Sequence, residues 1–153
     1  MKIEMNQQEY ELLLDMIYIA DYVFHTYLGE EDPGTEKYRV FEQKIMSWAK
    51  DFELENLVDW DKEYNQFLPS DDFFERSESP DYIENFEVNS FWEQLIDRLA
   101  VRDIFMKYGE KDVKKMSDKE FLLKRNEFRK KYEKEFESNG LQNIQITVNS
   151  GEK

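Results

Sequence analysis

The chain has 153 residues, 40% of them apolar and 16% aromatic, with 35 acidic against 21 basic side chains and a formal net charge of −14. That is enough apolar material for one core of ordinary domain size, while the charge disfavours phosphate backbones and anionic membrane surfaces as ligands. Cysteine is absent, which excludes disulfides, thiol catalysis and Cys-ligated zinc or iron–sulfur centres. Five Gly and three Pro leave few turn residues, so the expected fold is mainly α: a bundle of about four long helices, with a small two-stranded sheet formed by the N- and C-terminal segments. Residues 1–148 read as a single helical domain and 149–153 as a disordered tail. No basic stretch followed by an apolar run opens the chain, and "MIYIA" is too short to span a bilayer, so the expected location is the cytoplasm.

"KIEM" and "NIQITVN" alternate polar and apolar residues and supply the two terminal strands. Asn6 and Glu9 have capping-box spacing and open a helix over about 7–28 that ends at Gly29. After the acidic turn "EEDPG", Thr35 is placed to cap a second helix, 36–52, with Tyr38, Phe41, Ile45, Trp48, Ala49 and Phe52 in one stripe. The short link between the two predicts an antiparallel helical hairpin. Residues 53–89 mix acids and aromatics around two prolines and read as a connector with helical turns at about 55–66 and 80–87. A third helix is expected over about 90–108, stopped by Gly109, and a last one over about 117–138, opened by Ser117 with Glu120 and closed before Asn139 and Gly140. Its stripe of Phe121, Phe128, Tyr132 and Phe136 is narrow.

Four polar residues sit where apolar ones are expected. At 100° per residue, Asp21 falls in the middle of the arc of Tyr10, Leu14, Ile17, Phe24 and Leu28, and His25, the only histidine, lies one turn on. Arg102 and Asp103 lie inside the arc of Phe91, Trp92, Leu95, Ile96, Leu99 and Met106. A carboxylate among apolar neighbours needs a cation or several donors, and the fork of Arg102 suits Asp21. The cluster Asp21, His25, Arg102 and Asp103 therefore reads as a structural ion-pair network, or else as a polar pocket for a small ligand.

Charge is uneven along the chain. Residues 1–110 carry 10 basic against 27 acidic side chains, a net −17, and residues 111–136 carry 10 against 6, a net +4. The basic strip either balances the acidic body within the molecule or docks an acidic partner or a second copy, which keeps a homo-oligomer open. Asp81, Glu84 and Glu87 have i, i+3, i+6 spacing and are the only metal-ligand candidates, a spacing that arises easily by chance in so acidic a chain; no metal or cofactor is assigned. No Walker loop, dinucleotide fingerprint or nucleophile elbow occurs. The expected role is accordingly binding to another protein rather than catalysis, with Trp60, Tyr64, Phe67, Phe73 and Phe74 of the connector as candidate anchors and core packing as the ordinary alternative for some of them. An acidic inhibitor or immunity-type protein masking a basic nucleic-acid-binding groove is a second expectation, and a ligand-binding or enzymatic pocket at Asp21 and Arg102 a third.

Overall fold

The computed structural model describes residues 4–27 and 33–145. The chain is mainly α with one small antiparallel sheet. Its contacts separate two compact units, Met1–Phe86 and Glu87–Lys153. The tail 149–153 lies outside the described residues.

In the first unit, α1 (Gln7–His25) starts at the expected capping box: Asn6 Oδ1 accepts from the Glu9 N–H at 2.9 Å, and Glu9 Oε2 accepts from the Asn6 N–H at 2.8 Å. Two otherwise orphaned donors are thereby satisfied. α2 (Glu36–Met46) is shorter than the stripe implied, because the chain tightens into a 3-10 turn at Ala49–Phe52 and leaves it through Glu53, whose φ of 58° is left-handed. Thr35 occupies the N-cap position of α2 without a side-chain capping bond. Tyr10 and Leu14 of α1 meet Ile45, Met46, Ala49, Leu54, Leu57 and Phe73 in the core of this unit. Tyr10 is fully buried, stacks on Phe52 at 4.3 Å and donates its hydroxyl to the Ile45 carbonyl at 2.8 Å, which satisfies the one polar group it takes inside. Burial first, and the nearby Asp51 charge second, push its hydroxyl pKa up to about 12.

The sheet is not where the sequence suggested. The terminal segments fall largely outside the described residues, and their described parts, 4–5 and 143–145, are not strands. The two strands come from the connector instead: β1 (Val58–Asp61) and β2 (Gln66–Pro69) pair antiparallel, with Trp60 opposite Phe67. The turn between them is organised by Asp61, whose Oδ1 accepts from the N–H groups of Glu63 at 2.7 Å and Tyr64 at 3.1 Å, and by Asn65 at φ 53°. Such an Asx turn stands where a helical turn over 55–66 was expected, and only its first residues, Glu55–Leu57, are helical, as a 3-10 turn. Short α3 (Asp71–Arg76) follows, capped by Ser70 Oγ on the Phe73 N–H.

α4 runs unbroken from Ser79 to Tyr108. The helical turn expected at 80–87 and the helix expected from 90 are one element. Pro80 does not interrupt it because it stands in the first turn, where its missing N–H would have had no helical partner. The first two turns of α4 belong to the first unit and the remainder to the second. Gly109, at φ 76°, separates α4 from one-turn α5 (Glu110–Val113), and α6 (Asp118–Asn139) opens with Ser117 Oγ accepting from the Glu120 N–H.

In the second unit α4 and α6 meet through Ile96, Tyr132 and Phe136, flanked by Trp92, Leu95 and Leu99. Beside this apolar seam runs an ionic one. Arg125 holds both carboxylate oxygens of Asp97, at 3.2 and 2.7 Å, while Arg129 bridges Asp97 and Glu93. Burial lifts the Asp97 carboxyl, but hydrogen bonds from Arg129 and Arg125 outweigh it and hold the pKa below its ordinary value. These arginines of the basic strip are thus spent within the unit, on acids of α4.

Candidate functional site

The four displaced polar residues separate into two pairs, one in each unit. Arg102 donates to Asp103 at 2.8 Å and to the Tyr132 hydroxyl at 3.0 Å, and that hydroxyl donates to Asp103 at 2.5 Å. Burial raises the Asp103 carboxyl, and bonds from Tyr132 and Arg102 more than reverse this, keeping it below its ordinary pKa. The arrangement is a closed structural triad at the edge of the α4–α6 seam. Arg102 therefore serves its sequence neighbour and Tyr132 in place of the expected Asp21, since its long side chain sits at the border of the apolar arc and reaches the partner nearest to it.

Asp21 and His25 pair with each other. His25 Nδ1 lies 2.5 Å from Asp21 Oδ1, one helical turn along α1, and the histidine keeps 14% of its side chain exposed against 37% for the aspartate. Asp21 is thus half-open, where its central position in the arc had suggested burial. Its second neighbour is Glu42 of α2, which lines the same pocket and feels its charge. A neighbouring carboxylate disfavours the charged form of Glu42. Burial, then the charge and hydrogen bond of Asp21, raise the Glu42 pKa to about 7, with Arg39 pulling in the opposite direction.

These groups line one wall of an open pocket of about 250 Å³ between α1 and α2. The other walls are apolar: Leu13, Met16, Ile17 and Ala20 from α1 and Phe41 from α2, closed at one end by Phe24 stacked on Tyr38 at 4.4 Å. Glu42 had not been singled out from the sequence, although the signal was there. It is four residues from Tyr38 and three from Ile45, so it interrupts the apolar stripe of α2 as Asp21 interrupts that of α1.

The connector aromatics divide as well. Phe73 is in the core and Phe67 packs against it. Trp60 and Tyr64 are 47% and 68% exposed, and Phe74 is exposed beside Tyr18. The hairpin that carries Trp60 has unequal edges. Ser70 donates its N–H to the Leu57 carbonyl, so in the antiparallel alternation Asp59–Leu68 and Asp61–Gln66 are the hydrogen-bonded pairs, and the backbone groups of Trp60 and Phe67 point outward. On the β2 side Gln43 of α2 fills the edge: its Nε2 donates to the Phe67 carbonyl at 2.9 Å and its Oε1 accepts from the Phe67 N–H at 2.6 Å. On the β1 side the amide and carbonyl of Trp60 face outward between exposed Asp59 and half-buried Asp61.

Asp81 and Glu84 are exposed on α4 with Glu87 one turn on. Among the described residues no three acidic or histidine side chains converge as a metal site would require. No described helix is long and apolar enough to cross a membrane. Comparison with protein families, with curated proteins and with solved structures finds no match to this chain.

Proposed function

We infer that the protein is a binding module that captures an extended, basic segment of a partner protein along the open edge of β1. The observation that carries this reading is the asymmetry of the hairpin: one edge is occupied by the Gln43 amide, and the other offers the Trp60 backbone beside Asp59 and an exposed indole. A strand added there gains main-chain hydrogen bonds, and alternate side chains meet Asp59 on one face and Trp60 on the other. The carboxylates that attract a basic strand also repel a second β1, so the edge resists pairing with its own kind.

A synthetic peptide of alternating Lys and Val tests the inference, with an alternating Glu and Val peptide as its counterpart. The basic peptide is expected to slow hydrogen exchange at the Trp60 amide in the wild-type chain and to do so far less in Asp59→Lys, whose exposed position leaves the fold intact. Equal effects of the two peptides, or no protection at Trp60, would overturn it.

A further inference from the structure

We propose that the pocket between α1 and α2 is a binding site for a small organic cation, an amine carried on an apolar body. This site is separate from the β1 edge and does not depend on the role inferred for it.

The pocket has the two components that such a ligand needs. Its apolar walls, from Met16, Ile17, Ala20 and Phe41, would shelter a hydrocarbon body, and its volume of about 250 Å³ restricts that body to a small one. Its polar wall is acid only on the side of the carboxyl pair: Asp21 from α1 and Glu42 from α2, with His25 hydrogen-bonded to Asp21. The stacked Phe24 and Tyr38 rings add π faces, to which an ammonium is attracted but an anion is not.

Among the described residues, four charged or titratable groups lie at the pair. From α1 these are Asp21 and His25; from α2 they are Glu42 and Arg39, the latter close enough to Glu42 to offset part of its upward shift. Burial first and the Asp21 charge second outweigh Arg39, so Glu42 holds a proton up to about pH 7. An ammonium seated between them supplies what that proton supplies. It donates to both carboxylates, and the proton on Glu42 leaves to solvent as the cation enters. A neutral ligand of the same shape displaces no proton and gains no charge-assisted bond.

Phenethylamine and hexylamine are the probes, with phenethyl alcohol and hexanol as neutral counterparts and hexanoate as an anionic one. Titrations followed by amide resonances of the intact chain should show saturable shifts at Ala20, Phe24 and Phe41 with the amines. Binding of the alcohols should be about tenfold weaker or less, as expected for the loss of a charge-assisted hydrogen bond. Amine affinity should also fall as pH is lowered below about 7, where a proton competes for Glu42. In Glu42→Gln, with its folding verified by circular dichroism, the preference for amine over alcohol should shrink severalfold. Equal binding of amine and alcohol by the wild-type chain would reduce the pocket to a plain apolar groove and overturn the proposal. So would the absence of shifts at α1 and α2 with any amine.

Discussion

Glu42→Gln should change the pH dependence of folding in a defined direction. In the folded chain the Glu42 carboxyl titrates at about 7, raised by burial and by Asp21, whereas its ordinary value is 4.5. Between those two values the folded chain holds a proton that the unfolded chain has released, so stability is greatest at the acidic end of the window and declines as pH rises through it. At about 1.4 kcal/mol per pH unit the decline has an upper limit of roughly 3 kcal/mol, and solvent screening at this partly exposed position reduces it to about 1–2 kcal/mol. Glutamine has nearly the same shape and stays neutral throughout. Urea denaturation of both chains from about pH 4.5 to about pH 8 isolates this contribution, since other groups titrate alike in each and cancel in the difference. The variant should be close to wild type at the acidic end and about 1–2 kcal/mol more stable at the alkaline end. A difference that stays constant with pH would refute the carboxyl pair as described.

Tyr10→Phe removes one of two donors to the Ile45 carbonyl, which keeps the Trp48 N–H, and should cost about 0.5–1.5 kcal/mol in the same urea assay. Arg129→Met removes the bridge between Glu93 and Asp97 and should cost about 1–2 kcal/mol, a loss that shrinks at high salt because the seam is partly exposed to solvent. Glu53→Gly relieves a left-handed residue in an exposed turn and should raise stability by about 0.5–1 kcal/mol, seen as a higher melting temperature.

The helix starts were legible because capping chemistry is local: Asn6 with Glu9, and Ser117 with Glu120, act over a single turn. The same holds for the stops at Gly109 and Gly140, which take positive φ. The hairpin escaped notice because "VDWD" and "QFLP" are each four residues long, and the turn between them contains no glycine. Its determinant is the Asp61 side chain, which a pattern of apolar alternation does not register. The start of α4 was placed too late because the acidic and aromatic run before residue 90 shows no sustained apolar period, although the helix passes through it. For the candidate site, the position of Asp21 on an apolar arc drew attention to a carboxylate that lines a pocket with apolar walls. Its partner could not be read by matching opposite charges across helices. Within the first unit Asp21 lies beside another acid, Glu42, and within the second Arg102 turns to Tyr132 and Asp103.

Gln43 has a consequence for stoichiometry. A β-hairpin with two open edges has a valence of two and can link one molecule to the next without limit, as growing fibrils do. Here a single side-chain amide satisfies both outward groups of Phe67, so backbone pairing at this hairpin has a valence of one: strands can join only on the β1 side.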